Sequence, residues 1–363
     1  MNIVITGGGT GGHLYPGLEL AKFYTNLGHK VYYIASKNGI DQEIIKAEPN
    51  LEKIEMLYWD LRGIQRKINL VNIIENTKTI GKLIYLKYYA KKFLKQKKIK
   101  FVIGVGGYIS YPLVNEATKL KIYTMIHEQN SYPGLVNRKL AQVVDKIGIA
   151  YESSRQYFKN CEQKIVNVAN PRVDNTKVYK NETFFEELGL NPKKKIILFL
   201  GGSLGAQTIN ELFTFYVNQQ FENYQAVLIS GLKNNEVLEN INLNDNIILK
   251  NTNKLLKYVT TADIIISRAG ATTLLEIIYM EKKAIIIPSP NVVANHQWLN
   301  ASEFAQKDLV TVIKETELTP EYFIKEMENL QKNNKRLENL QKYSKINSLA
   351  KFKEILEEID DLR

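Results

Sequence analysis

The sequence predicts an α/β protein of two doubly wound, parallel-sheet domains facing a cleft. Three observations predict it. Short continuous runs of β-branched and aliphatic residues recur along the chain, separated by stretches long enough for a helix. They form two successive sets. Three of the runs lead straight into glycine-rich turns that open helices. Continuous apolar strands alternating with helices indicate parallel sheets covered on both faces, and two sets indicate two such domains.

In the first half the runs are Ile3 to Thr6, Val31 to Ala35, Phe101 to Val105, Tyr123 to His127 and Lys146 to Ala150. In the second they are Ile196 to Leu200, Ala226 to Ser230, Ile247 to Leu249, Asp263 to Ser267, Ile285 to Pro288 and Leu309 to Ile313. The first helix is punctuated clearly. Pro16 is read in its first turn, Leu20, Phe23 and Leu27 line one face, and Gly28 ends it. A strand-like VNVA runs into Asn170-Pro171, so the boundary is placed there. The expected division is 1–166, 167–340 and a polar helical tail, 341–363, packing back on the N-terminal domain.

Composition bounds the rest. The 363 residues suffice for two cores, and the single cysteine, Cys161, allows no intrachain disulfide and fits a reducing compartment. No run of 18 apolar residues and no leader pattern occur, so the protein is expected to be neither exported nor integral to a membrane. The net charge of +11 is lopsided: residues 1–165 hold 25 Lys and Arg against 13 Asp and Glu, and the remainder 24 against 25. Such asymmetry points to a polyanion facing the first half, either nucleic acid or an anionic membrane. Residues 78–100 concentrate it, with nine lysines interleaved among Leu83, Ile84, Leu86, Tyr88, Tyr89 and Phe93. A basic, aromatic-rich amphipathic helix suits anionic lipid, and no nucleic-acid motif accompanies it.

The chemistry is expected beyond the carboxyl ends of the strands. Residues 2–16, NIVITGGGTGGHLYP, read as strand, glycine loop and helix start. Gly7, Gly9 and Gly12 have dinucleotide-fingerprint spacing, but the acid expected about 20 residues on for a ribose is replaced by Ala35, Ser36 and Lys37. This argues against a nicotinamide oxidoreductase and for a diphosphate loop of another kind. Glycine lets backbone amides approach a phosphate at a helix N-terminus, where the dipole favours negative charge. GVGGYISYP, with Gly104, Gly106 and Gly107, and GGSLGAQTIN, with Gly201, Gly202, Ser203 and Gly205, repeat the arrangement. Diphosphates on both sides of a cleft are what a donor and an acceptor that each carry one would need.

Three polar segments also follow strands. HEQN, from His127 to Asn130, clusters four polar groups at a strand end. SRAGATTLLE puts Arg268 and Gly270 on a turn and Glu276 in the next helix, where a carboxylate can accept two ribose hydroxyls. NHQWLN brings Asn295, His296, Gln297 and Asn300, whose amides both donate to and accept from sugar hydroxyls.

Together GGTGGH, GxGGYxSxP, HEQN with GLxN, mid-chain Asn-Pro, GGSxGA, SRAGAxTxxE and NHQxxNA resemble the MurG-type N-acetylglucosaminyltransferases, in order and over nearly the whole chain. The resemblance implies the GT-B architecture of two Rossmann-like domains. It implies inverting transfer of N-acetylglucosamine from UDP-N-acetylglucosamine to the 4-hydroxyl of undecaprenyl-diphospho-N-acetylmuramoyl-pentapeptide. This would be a peptidoglycan step at the cytoplasmic face of the cell membrane, by a peripheral enzyme.

By that resemblance the donor contacts are Gly202, Ser203, Gly205, Thr252, Arg268, Glu276, Gln297 and Asn300, with Arg172 near the phosphates. The acceptor contacts are Thr10, Gly11, Gly12, His13, Gly106, Gly107, Tyr108, Asn130 and Asn137, and Arg62-Gly63 resembles the family's LRG segment. Ala169 stands where many members have glycine. The base that takes the acceptor proton is His13 or Glu128. No cofactor is expected, and no catalytic metal, because the chain has no Asp-x-Asp pair.

Overall fold

The computed structural model describes residues 1–37, 40–63, 70–179, 182–202, 205–219, 223–231, 238, 242–250, 252 and 254–361. The chain divides into two compact units, 1–172 with 347–363, and 173–346.

The first unit begins with β1 (Asn2–Thr6), α1 (Gly11–Asn26), β2 (Lys30–Ser36), α2 (Asp41–Ala47), β3 (Glu55–Trp59) and α3 (Leu70–Gln96). It continues with β4 (Phe101–Gly104), α4 (Ser110–Lys119), β5 (Tyr123–Glu128), α5 (Leu135–Leu140), β6 (Lys146–Ile149) and β7 (Ile165–Asn167). The strands are all parallel, in the order β3-β2-β1-β4-β5-β6-β7. Side chains alternate across each strand, and here both faces are apolar. Ile3 and Ile5 point into a core with Leu14, Leu18 and Ala21 of α1, while Val4 points into another with Phe93 and Leu94 of α3 and Leu113 of α4.

The second unit runs α6 (Val173–Tyr179), α7 (Phe185–Leu188), β8 (Lys195–Leu200), α8 (Gln207–Asn218), β9 (Tyr224–Ile229), β10 (Ile247–Leu249), α9 (Leu255–Thr261) and β11 (Ile264–Ser267). Then come α10 (Ala271–Tyr279), β12 (Lys283–Ile286), α11 (His296–Ala305), β13 (Thr311–Val312), α12 (Pro320–Lys332) and α13 (Lys335–Tyr343). Its parallel sheet is ordered β10-β9-β8-β11-β12-β13. Ile197 and Phe199 meet Ile209, Phe213 and Tyr216 of α8. The last helix, α14 (Ser348–Asp361), belongs to the first unit, where Phe352, Ile355, Leu356 and Ile359 join the α1 core.

Each sheet starts at its middle, runs outward to one edge, then returns and builds the other. The order reverses between β1 and β4 in one unit and between β8 and β11 in the other. Such a reversal is where an open α/β sheet takes its ligands, at the carboxyl ends of the strands.

Several elements differ from the sequence expectation. Strand β3, EMLYW, was not expected, because an edge strand with Glu55 and Tyr58 exposed has no continuous apolar run. Pro16 lies inside α1, not in its first turn, since the helix already starts at Gly11. The segment around VNVA packs within the first unit, with Val168 fully buried. In α3, Leu86 and Phe93 are core residues. They therefore do not belong to the outward face with Ile84 and Tyr88, which are 66% and 71% exposed.

Candidate functional site

In the first unit the two glycine turns flank the switch point and touch through their backbones. Gly107, at φ +80°, approaches so closely that a Cβ would lie 2.4 Å from the Gly8 carbonyl oxygen. Gly106, at φ +100°, lies under the His13 ring, where a Cβ would be 2.6 Å from Cδ2. Glycine is needed at both for the left-handed backbone and for the approach.

The β1–α1 loop is held from below by Asp41, the first residue of α2. Its carboxylate accepts from the Gly9 amide at 2.8 and 3.0 Å and from the Ser36 amide at 2.9 Å. Desolvation raises its pKa, and the bonds from Ser36 and Gly9 oppose that. Tyr33 adds a bond from its hydroxyl to the Gly7 carbonyl at 3.1 Å. The loop's shape is therefore set by protein groups.

His13 lies half-buried in the first turn of α1, its Nδ1 3.1 Å from the Thr10 hydroxyl. Burial lowers its pKa to about 4, while bonding to the Gly8 carbonyl pushes the other way. The imidazole is thus neutral near pH 7 and able to accept a proton. Thr10, the exposed N-cap of α1, makes no side-chain capping bond. Gly11 and Gly12 begin the helix beside it. Tyr108 is 39% exposed, and a Cβ on Gly63 would lie 2.3 Å from its ring, so Arg62-Gly63 borders the second glycine turn.

HEQN is built differently from a row of free ligand groups. His127 is fully buried, donates from Nε2 to the Ala169 carbonyl at 2.8 Å, and accepts at Nδ1 from Gln129 at 3.0 Å. A carbonyl only accepts, which fixes the neutral tautomer. Burial lowers the His127 pKa to about 4, opposed by the Ala169 bond and helped by His13. Gln129 also donates to the Val105 carbonyl at 2.9 Å, tying β5 to the second glycine turn.

Glu128 is buried too. It accepts from the amide and side chain of Asn130, the Gly134 amide and Asn137 Nδ2, all within 3.3 Å. Burial raises its pKa and these four donors oppose the rise. Both its oxygens are engaged in shaping the loop. Asn137, buried, also donates to the His127 carbonyl at 3.0 Å. Arg172 belongs to this unit, with its guanidinium 4.3 Å from the centre of the Tyr15 ring.

In the second unit two turns meet in a similar way, but on the β9 side of β8 and not across the β8–β11 switch. A Cβ on Gly231 would lie 2.2 Å from the Gly205 amide nitrogen and 2.5 Å from the Gly202 carbonyl. The turns after β8 and β9 therefore meet backbone to backbone. Ser203, the expected diphosphate contact, lies outside the described residues.

Arg268 donates from Nη1 to the Ile287 carbonyl at 3.1 Å and to Glu315 at 2.5 Å. Glu315 also accepts from Thr208 at 2.8 Å. Its pKa is lowered: desolvation acts upward, but the bonds from Arg268 and Thr208 and the arginine's charge prevail. Asn300, fully buried, donates to the Ala269 carbonyl at 3.2 Å, and Gln297 accepts from the Ser289 amide at 2.9 Å. Glu276 is buried on α10, and Thr252 accepts from the Lys254 amide at 3.0 Å.

The structure thus gathers Thr10, His13, Gly106 and Gly107 into one group. Glu128, Asn130 and Asn137 form a second, and Arg268 with residues of α8 and the β13–α12 connection a third. Sequence reasoning missed Asp41, Thr208 and Glu315, which carry no motif spacing. It also passed over Asn210, whose buried Nδ2 and Oδ1 find no partner among the described residues. That asparagine does sit in the quoted GGSLGAQTIN segment.

Two Rossmann-like units, each with a glycine turn at its switch point, make the GT-B architecture of a glycosyltransferase. Residues 3–149 match the glycosyltransferase family 28 N-terminal domain and residues 196–359 the glycosyltransferase family 28 C-terminal domain. The chain belongs to glycosyltransferase family 28, among the UDP-N-acetylglucosamine–N-acetylmuramyl-(pentapeptide) pyrophosphoryl-undecaprenol N-acetylglucosamine transferases. A relative so named from Bacillus pumilus (strain SAFR-032) is 35% identical over 95% of this chain and 94% of its own. Another from Bacillus subtilis (strain 168) is 34% identical over 99% of both. The crystal structure of MurG from Acinetobacter baumannii superposes with a TM-score of 0.75 at 24% identity, covering 98% of this chain and 99% of that one.

Proposed function

We infer that this chain transfers N-acetylglucosamine from UDP-N-acetylglucosamine to the 4-hydroxyl of the muramoyl-pentapeptide carried on undecaprenyl diphosphate, with inversion at the anomeric carbon. The observation that carries this reading is similarity along 95% of the chain to transferases whose name states the reaction.

The first unit takes the acceptor. Its diphosphate lies at the amide-rich start of α1 and at Gly106 and Gly107, where the helix dipole and open N–H groups favour anions. His13 is the general base. Its neutral ring supports this role, and it meets the exposed end of the glycine loop. Glu128 shapes the Asn130 loop, a role its four donors support. The second unit takes the donor, with the turn after β8 on the diphosphate, Glu276 on the ribose, and Gln297 and Asn300 near the sugar. Arg268, oriented by its carboxylate partner Glu315, lies near the leaving diphosphate as a hydrogen-bond donor.

The membrane contact is α3. Ile73, Ile74, Ile80, Ile84, Tyr85 and Tyr88 are each at least 50% exposed. At 100° per residue they fall within about 140° of the helix. Lys91, Lys92 and Lys95 continue the exposed surface toward the C-terminal end. An apolar stripe bordered by lysines suits the interface of an anionic bilayer. No helix among the described residues is long and apolar enough to cross a membrane. By its resemblance to the family the reading is a peripheral enzyme on the cytoplasmic face.

The test incubates the full chain with UDP-N-acetylglucosamine and a short-chain lipid diphosphate muramoyl-pentapeptide. The expected result is release of UDP and a disaccharide product, both dependent on acceptor. UDP released at the same rate without acceptor, or a changed UDP-sugar in its absence, overturns the reading. Glu276→Ala is expected to weaken UDP binding by roughly tenfold to a hundredfold, since a hydrogen bond to a charged group contributes about 1.5–3 kcal/mol. Unchanged affinity by calorimetry removes Glu276 from the donor site.

A further inference from the structure

We propose that Thr10 is a catalytic residue, relaying the proton of the acceptor hydroxyl to His13 Nδ1. The inference rests on His13 being the base of the transfer and adds how the proton reaches it.

Thr10 is the N-cap of α1, with extended backbone at φ −149° and ψ 153°. A threonine there ordinarily turns its hydroxyl onto the amide two or three residues on. Thr10 makes no such bond, although its carbonyl accepts from the His13 amide at 3.2 Å. Its hydroxyl instead lies 3.1 Å from His13 Nδ1. The helix forgoes a capping bond, and the imidazole gains a partner.

The other side of the ring is closed. Nε2 lies against the second glycine turn, where a Cβ on Gly106 would be only 2.8 Å away. Only a glycine lets the ring fit, and no substrate hydroxyl fits between them. His13 is half-buried, whereas Thr10 is exposed. Of the proton-carrying atoms in this pair, Thr10 Oγ1 is therefore the one open to a ligand over the glycine loop. A hydroxyl both donates and accepts, so it can pass a proton on without holding charge.

The step balances. The acceptor oxygen attacks the anomeric carbon with its lone pair while the bond from that carbon to the diphosphate oxygen breaks, and UDP leaves with the electron pair. The acceptor proton moves to Thr10 Oγ1 as the proton already on Oγ1 moves to His13 Nδ1. Thr10 ends as a neutral hydroxyl and His13 as an imidazolium, which then loses its proton to solvent.

The test is steady-state kinetics of Thr10→Val, Thr10→Ser and His13→Asn in the full chain, with the short-chain lipid acceptor. Thr10→Val keeps the shape and removes the relay. Its kcat is expected to fall at least about a hundredfold, the low end of general acid–base effects, with acceptor KM little changed. Thr10→Ser is expected to recover most of that loss. A proton inventory in mixed water and heavy water should curve for the unaltered chain, because two protons move together.

If Thr10→Val has near-normal kcat while His13→Asn is crippled, His13 acts directly and the relay is wrong. If Thr10→Val chiefly raises acceptor KM, Thr10 is a ligand and not a relay. If His13→Asn itself retains normal kcat, the base assignment fails and the relay with it. A linear inventory in a reaction limited by chemistry also overturns the proposal.

Discussion

Removing the Asp41 carboxylate leaves two amides, Gly9 and Ser36, without acceptors beneath the β1–α1 loop. A buried donor left unsatisfied costs about 1–3 kcal/mol. Asp41→Ala is therefore expected to lower stability by a few kcal/mol in urea denaturation and to loosen the loop carrying Thr10 and His13, so that kcat falls while UDP affinity holds. An equal loss of UDP affinity would mean that the effect is not local. The two histidines give the pH dependence. His127 is held neutral, its pKa lowered from 6.5 to about 4 by burial. The folded state therefore binds fewer protons than the unfolded chain between those values, so stability is full above about pH 6.5 and is lost as pH falls toward 4. At about 1.4 kcal/mol per decade the loss from His127 reaches about 3 kcal/mol. His127→Gln should be less stable at pH 7 yet show a shallower loss between pH 6.5 and 4. A parallel pH dependence in both proteins would show that His127 does not carry the titration. These roles explain what the residue level of the sequence made legible. The glycine turns announced themselves, because few functions need so many glycines after a strand. Asp41 did not, because its partner is a backbone amide brought back by the β2–α2 turn. HEQN was legible as a polar cluster, but not as one whose His127, Glu128 and Gln129 hold their own loops in place.

At the scale of elements, α3 separates two jobs along one helix. Its C-terminal half buries Leu86, Ala90, Phe93 and Leu94 against the sheet, while its N-terminal half leaves Val71, Ile73, Ile74 and Ile80 at least 50% exposed. The sequence made the lysines and aromatics legible but not which of them face outward. That depends on the helix rotation set by the core, and periodicity blurs when both faces carry apolar groups. Lys87 is drawn over the Tyr111 ring at 5.2 Å, which commits it to the protein side. The residues to change are therefore Lys91, Lys92 and Lys95 for charge, and Ile84 and Tyr88 for apolar contact. Each lysine near an anionic surface contributes about 1 kcal/mol, screened by salt. The triple Gln variant is expected to bind vesicles containing phosphatidylglycerol roughly a hundredfold more weakly at low salt. Ile84→Ser with Tyr88→Ser should weaken binding even at high salt, where only the apolar part remains. If neither variant alters cosedimentation, α3 is not the membrane face. Strand β3 marks the other limit of legibility: one exposed side at a sheet edge removes the continuous apolar run that revealed the other strands.

At the scale of the whole molecule, the chain leaves the first unit after Arg172, builds the second, and returns at Asn347. Two parallel sheets were legible because every central strand is apolar on both faces. The return was legible as a polar helical tail packing back on the first domain, but not in its partners, since one apolar residue per turn does not name them. Its contacts make it part of the first core. Phe352, Ile355, Leu356 and Ile359 are at most 4% exposed, Ser348 donates to the Val168 carbonyl at 2.5 Å, and Tyr24 donates to the Phe352 carbonyl at 3.2 Å. Phe352 also meets the His127 ring edge-on, at 5.6 Å between centroids. Burying four such side chains stabilises by about 6–12 kcal/mol, which is as large as the net stability of a typical domain. A chain ending at Ile346 should therefore lose the first unit while keeping every residue of the second. Its expected signature is a lost or greatly lowered first transition in denaturation, no transfer activity, and UDP affinity within about threefold of the full chain, a change under 1 kcal/mol. Phe352→Ala is the milder form, expected to cost about 3–5 kcal/mol in the first transition alone. If the truncated chain unfolds at the same denaturant concentration as the full one, α14 is not part of the first core. If UDP binding is lost along with the first transition, the two units do not fold independently.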